Sequence, residues 1–267
     1  MNKKKYKIGL IIGLIITLIL FVAAIVSCFY LPFDPNEMNG EEKFLAPSLK
    51  HLFGTDNYGR DVFSRTLEGL KTTFFVALFT VGIGAFFGVL IGAVTGYYGG
   101  VIDEVLMRIN DALASFPSVL VAMVMVCIFG RGPVKLIIIM GIVFIPSFAR
   151  VMRGEFMKLK NRDFILNAKL VGCSGWRIMF FHIFPNTLHT LLSSVAIGFN
   201  NAVLVEASLS YLGIGVQPPH ASLGRMLSEA QGYFSYIWCV LAPGMIMILM
   251  ILGFVLLSES AVRLKRR

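Results

Sequence analysis

The chain has 267 residues, 57% of them hydrophobic and only 15% charged, with a mean hydropathy of +0.78. That apolar share exceeds what a soluble globular domain carries and implies a polytopic membrane protein. The formal charge of +9 comes from basic residues clustered beside apolar runs, which is the distribution of a topology signal and excludes a DNA-binding reading.

Lys3, Lys4, Lys5 and Lys7 precede an uncharged run from Ile8 to Leu31, long enough at ~1.5 Å per residue to cross a ~30 Å hydrocarbon core. This is the first of six predicted spans. Ile25-Val26-Ser27-Cys28 resembles a lipoprotein cleavage site, but the run outlasts the ~7 to 15 residues of a signal core, so an uncleaved anchor is expected. Residues 32–71 are polar, with seven acids against five bases, and fit the outer face. Within them, Gly54-Thr55-Asp56-Asn57-Tyr58-Gly59-Arg60-Asp61 has the glycine spacing of a phosphate loop. Arg60 stands where that loop needs Lys, and Asp61 would repel phosphate, so nucleotide binding is excluded. Asp56, Arg60 and Asp61 are expected to form a local salt-bridged turn, serving either packing or substrate contact.

Thr72 to Tyr98 makes the second span. It carries Gly84, Gly88, Gly92 and Gly96, a four-residue repeat that lays all four on one helix face and lets another helix approach closely, from this subunit or from a partner. A polar connection with Asp103, Glu104, Arg108 and Asp111 leads to the third span, Ala112 to Gly130, with Pro117 near its start. Val134 to Ala149 is a short fourth span. Arg150 to Arg177 holds seven bases and two acids, which predicts a cytoplasmic loop. The fifth span, Thr187 to Val205, carries His189, read as a satisfied interface histidine, and Asn200 and Asn201, with Glu206 at its far end. Polar groups in a membrane are costly and face a water path or another helix; for Asn200, Asn201 and Glu206 both uses stay open. Pro218-Pro219 forbid a continuing helix and predict an outer loop. The sixth span lies within Ala230 to Ser258, with Tyr233, Tyr236 and Trp238 as an interfacial belt. Arg263, Lys265, Arg266 and Arg267 end the chain. Six spans put both termini on one side, and 16 of the 24 basic residues then fall inside. Cys28, Cys127, Cys173 and Cys239 are scattered and form neither a disulfide framework nor a metal site. No cofactor is expected.

The connection Asp163 to Asn186 is the one long link that is neither short nor apolar. Phe164, Ala168 and Val171 recur at i, i+4 and i+7 and predict a helix. Gly172 stops it, and Ser174 can accept a backbone N–H to start the next. The second helix carries Trp176, Met179, Phe180 and Ile183 on one face, with Arg177 between them, and Pro185 is expected to end its regular bonding. A helix this apolar either rests on lipid or fills a partner's groove.

Ala168, Gly172 and Pro185 hold the spacing of the E-A-A-x3-G-x9-I-x-L-P loop, which resembles the cytoplasmic loop of permease subunits of binding-protein-dependent ABC importers. Leu166 and Asn167 replace the Glu and first Ala, His182 the Ile, and Phe184 the Leu. The GTDNYGRD stretch and SLSYLGIGVQPPHASLGRML resemble signatures of the peptide and nickel branch of that family, with Leu223 in place of a Trp. The resemblance implies an all-α integral membrane protein with six transmembrane helices and a helix, bend, helix coupling loop at about 150–186. Residues 1–71 would form the anchor and extracytoplasmic loop, and 72–267 the transmembrane domain. It further implies a second homologous permease, two ABC ATPase subunits and an extracytoplasmic solute-binding protein, in the cytoplasmic membrane of a bacterium or archaeon, with both termini cytoplasmic. The cargo would be a peptide, nickel or a nickel chelate. The rival readings are an ion-coupled secondary transporter with Glu206 as its ion site, and a membrane assembly factor with no pathway.

Overall fold

The computed structural model describes residues 3–265, with side chains from residue 7 to residue 260. Arg266 and Arg267 of the basic C-terminus lie outside the described residues, as do the side chains of Lys3, Lys4, Lys5, Arg263 and Lys265. Every regular element among the described residues is helical; their one β feature is an isolated antiparallel bridge between Thr55 and Asp61. The helices are α1 (Lys3–Val26), α2 (Val62–Tyr98), α3 (Gly100–Ala114), α4 (Ser118–Phe129), α5 (Pro133–Leu159), α6 (Asp163–Leu170), α7 (Gly175–Arg177), α8 (Phe184–Tyr211), α9 (Leu223–Ala230) and α10 (Trp238–Lys265). Five helices are long and apolar enough to cross a membrane, and a sixth crossing is made if α3 and α4, bent by 88°, count as one.

The centre of the fold is the α2–α5 crossing, and the glycine stripe makes it. A Cβ at Gly84 would stand 2.9 Å from Phe144 Cβ, one at Gly92 2.6 Å from the carbonyl oxygen of Ala149, and one at Gly96 2.7 Å from that of Arg153. With no side chain between them the backbones touch, so dispersion contact accumulates along about three helical turns. The stripe therefore serves packing inside this subunit. A second small-residue seam joins α1 to α10. Gly9 meets Ser260, Gly13 meets Leu256, and Gly253 meets Thr17. Gly9, Gly13 and Thr17 have the same four-residue spacing, so this seam too has a local signal in the sequence.

Several boundaries differ from expectation, each for a physical reason. α2 begins at Val62, ten residues before Thr72, because Asp61 caps it by accepting the Ser64 N–H at 2.7 Å. The polar connection after Tyr98 is the amphipathic helix α3, tied to α5 by a two-pronged Arg153–Asp103 contact at 2.5 and 2.6 Å and by Arg150–Asp111 at 2.8 Å. Those pairs hold α5 helical to Leu159, through a segment whose charges suggested a loop. The third span breaks at 115–117, where Pro117 lacks an N–H and keeps Phe116 out of helical geometry. The aromatic residues expected as an interfacial belt, Tyr233 exposed and Tyr236 and Trp238 half-buried, also pack against the outer segment. Tyr236 stacks on Phe44 at 3.8 Å, and Trp238 Nε1 donates to the Thr55 carbonyl at 3.1 Å, which pins the 32–61 segment over the start of α10.

Candidate functional site

The Asp163–Asn186 connection folds as two helices meeting at a bend. Gly172 takes φ +83°. Its N–H donates to the Lys169 carbonyl and the Cys173 N–H to the Ala168 carbonyl, both at 3.0 Å. Paired bonds of this kind close a helix end by satisfying its orphan carbonyls. Ser174 Oγ then accepts the Arg177 N–H at 3.4 Å and starts α7.

Pro185 does not end the second helix. Residues Ile178–Ile183 widen into a π-helical turn, and the chain continues as one helix from Gly175 to Tyr211. The widening answers the proline, which has no N–H for a regular bond and a ring that would strike the carbonyl four residues back. The Phe184 N–H instead reaches the Met179 carbonyl, and Asn186 Nδ2 donates to the His182 carbonyl at 2.7 Å. The loop helix and the fifth span are thus a single rod.

The loop's apolar residues divide into two sets. Ile165, Ala168, Ile178, Met179 and Ile183 are buried in the chain's own core with Val89, Ala93, Met152 and Phe156. Met179 and Ile183 therefore hold the loop to α2 and α5. Gly175 seats against Tyr97 and Tyr98 at the end of α2, and Lys169 Nζ lies 5.6 Å from the Tyr97 ring centroid. The outward edge consists of Leu170 and Val171, 85% and 84% exposed, with Trp176 beside them, 58% exposed and stacked on the half-buried Phe180. Sequence reasoning missed Leu170 and Val171 as an outward edge; of the repeat Phe164, Ala168 and Val171, only Ala168 is buried. Arg177 and Pro185 are exposed as well.

The extracytoplasmic signature is a packed junction. Gly54 and Gly59 sit at φ +70° and +76°. Thr55 Oγ1 donates to the Glu42 carbonyl at 2.5 Å and accepts the Leu45 N–H at 2.8 Å. Asp56 accepts Arg60 Nε at 2.6 Å, as expected of a local turn. Asp61 does otherwise, capping α2 and lying 2.9 Å from His51 Nδ1. The hub that sequence did not reveal is Glu229 on α9, which accepts from Arg60 at 3.0 Å, Arg65 at 3.2 Å and Arg225 at 3.0 Å. Burial pushes the Glu229 carboxyl up, and the guanidiniums of Arg65, Arg225 and Arg60 more than offset this and hold it below the usual carboxylate range. Nothing local in the sequence links position 229 to position 60.

The three polar residues of the fifth span have separate fates. Glu206 is fully buried. Ser210 Oγ and Thr73 Oγ1 donate to its two oxygens at 2.6 and 2.9 Å, and Thr73 in turn accepts the Leu223 N–H. It binds α8 to α2 and to the start of α9. Asn200 is buried, and its Oδ1 has no hydrogen-bond partner among the described residues. Asn201 is exposed and lines a cavity of about 330 Å³ with Ser118, Val143, Phe144, Ser147, Leu204 and Val205. His189 is exposed on the rim of a larger cavity, about 880 Å³, lined by α1, α8, α10 and Glu155 of α5. Among the described residues no group of three or more His, Cys, Asp or Glu is placed to hold a metal ion.

A bundle of membrane-length helices, sealed by glycine seams and carrying a bent loop whose apolar edge faces outward, defines the class of multi-pass helical permease subunits. The chain belongs to the family described as binding-protein-dependent transport system inner membrane component, whose sequence profile matches residues 88–266. Relatives include the dipeptide transport system permease protein DppC of Haemophilus influenzae, 36% identical over 94% of this chain and 88% of its own length. The glutathione transport system permease protein GsiD of Escherichia coli is 37% identical over 91% of this chain and 81% of its own. Among solved structures, a chain of the MetNI methionine ABC transporter in inward-facing conformations superposes with a TM-score of 0.57 at 19% identity, covering 77% of this chain and 95% of that one, and shows the shared fold. The protein is accordingly a permease component of a binding-protein-dependent ABC importer, a transport subunit whose ATPase is a separate chain.

Proposed function

We propose that this chain is one of two homologous permease subunits that pass a peptide inward, delivered by an extracytoplasmic solute-binding protein and driven by two ABC ATPase subunits docked on the 160–186 loop. The observation that carries the docking is the outward edge of Leu170, Val171 and Trp176, which spans the bend, with Trp176 in the first turn of a 37-residue helix that runs unbroken to Tyr211. A push on such an edge is delivered along the rod into the membrane, the kind of rigid-body change that alternates access. The peptide substrate rests on the relatives, which are named for dipeptide and glutathione transport. Basic-residue asymmetry supports an orientation with both termini and the loop in the cytoplasm.

The test is uptake by proteoliposomes holding this chain and its partner subunits. Labelled dipeptide should accumulate only with ATP inside the ATPase-facing compartment and with binding protein on the other side. Uptake driven by an ion gradient without ATPase would favour the secondary-transporter reading, and assembly without any uptake the scaffold reading.

A further inference from the structure

We infer that the cavity of Ser118, Ser147 and Asn201 is a contact site on the transport path that hydrogen-bonds the peptide main chain of the cargo, an inference that rests on the peptide reading above. Three observations carry it.

The first is depth. At ~1.5 Å per residue, Ser147 lies about 21 Å from the Pro133 end of α5 and about 18 Å from its Leu159 end, and Asn201 about 15 Å from the Tyr211 end of α8. The cavity therefore lies within the spans, with Ser147 three residues before the charged stretch of α5 that opens at Arg150. Exposed polar side chains inside a span are costly against hydrocarbon and face a water-filled path or another helix; the broken span beside this cavity favours the path.

The second is the backbone. The cavity opens at the break between α3 and α4, where the chain bends by 88° and Ser118 is the first residue of α4. Next to it, Pro146 sits within the continuous helix α5 and gives no N–H to the carbonyl of Ile142. A broken span at an intramembrane cavity is where transport proteins bind their cargo, because irregular backbone is tolerated only where it is buried in protein or lines such a space.

The third is chemistry. The lining holds two hydroxyls and a carboxamide among apolar groups, with no charged side chain. A volume of about 330 Å³ is at the small end of ligand sites and suits a short peptide. A carboxamide offers one acceptor and two donors, which match the N–H and C=O of a peptide bond whatever the side chains are. An uncharged, main-chain-reading lining passes many peptides and leaves their discrimination to the binding protein.

The experiment uses the complete reconstituted importer with wild type, Asn201→Leu, Asn201→Gln and Ser147→Ala, and two cargoes: a dipeptide and its analogue in which an ester oxygen replaces the amide N–H. Binding protein is common to all four, so its own preference cancels in the ratio of variant to wild type. Asn201→Leu should lower dipeptide uptake about three- to tenfold, the size of one lost hydrogen bond. Its penalty should be much smaller for the ester, Asn201→Gln should recover part of the loss, and stimulation of the ATPase by loaded binding protein should persist. Equal penalties for the two cargoes, no penalty for either, or loss of the second permease subunit from the complex would each overturn the inference, the last because the cavity would then be a subunit seam. If wild type itself took up no peptide, the substrate reading would fall and the amide claim with it; that result is told apart from failure of the cavity alone, in which wild-type uptake is intact.

Discussion

A Cβ on Gly88 would stand 2.5 Å from the Cβ of Phe148 and 2.9 Å from the amide nitrogen of Ala149. No rotamer change relieves such a clash, since backbone opposes it. Gly88→Ala is therefore expected to destabilise by roughly 1–3 kcal/mol through overpacking, and Gly88→Leu by more. Gly82 lies on the same helix with nothing within 4 Å of its would-be Cβ, so Gly82→Ala should be neutral or slightly stabilising. Thermal unfolding in detergent of the two alanine variants decides it: equal stability would mean the helices separate readily.

The same stripe shows what a sequence discloses. Four glycines at a fixed spacing announce a close helix contact, and hydropathy announces the spans, because both are local patterns. The Gly172 stop and the Ser174 cap were legible for the same reason. Partners distant in sequence were not. Glu229 gathers Arg60 and Arg65 from more than 160 positions away, and Arg153 finds Asp103 across 50. Charges read as marks of a loop instead tie two helices together. Pro185 misled in the opposite direction, since a π-helical turn absorbs it and leaves the helix unbroken.

Glu229 supplies a pH prediction. Its carboxyl is held below the usual range, so the ionised form is favoured by folding, and the stabilisation is fully present above the ordinary carboxylate pKa of about 4.3. It is lost as pH falls through the depressed folded value. Melting temperature should stay level in this respect from pH 7 to about 5 and decline below about 4. Glu229→Gln should remove that acid limb and lower stability at pH 7. The loss should sit at or below the low end of the ~3–5 kcal/mol for breaking a buried pair, because the Glu229 side chain is 24% exposed and Arg65, 2% exposed, keeps Asp56 at 3.7 Å and the Pro35 carbonyl at 3.0 Å. An unchanged acid limb in the variant would rule the hub out as its cause.

Orientation can be read directly. In a background with Cys28, Cys127, Cys173 and Cys239 replaced, a cysteine at Leu49, 99% exposed, should react with an impermeant maleimide on intact cells. One at Asn161, exposed between α5 and α6, should react only after the membrane is opened. Labelling of position 161 from outside would invert the topology and move the proposed ATPase surface to the wrong compartment.

Gly172 gives the sharpest test of coupling, because nothing lies within 4 Å of its would-be Cβ and its φ is +83°. Any effect of substitution is then a backbone effect and not a clash. A β-branched residue in that conformation costs roughly 1–2 kcal/mol or more, which the chain escapes by rotating out of the turn and releasing the two bonds to the Lys169 and Ala168 carbonyls. The bend would open, and Leu170, Val171 and Trp176 would no longer form one edge. The spans keep their hydrophobicity and flanking charges, so Gly172→Val should reach the membrane at normal levels. ATPase copurification and ATP-driven uptake should fall steeply. Gly172→Asn should be milder, because asparagine tolerates the left-handed region better than valine. Trp176→Ala removes an exposed ring without touching the turn, and should weaken ATPase attachment while leaving thermal stability near wild type. A loop that merely rests on lipid predicts the reverse, with attachment and uptake intact in Gly172→Val and Trp176→Ala alike. Wild-type values for both variants would overturn the coupling role.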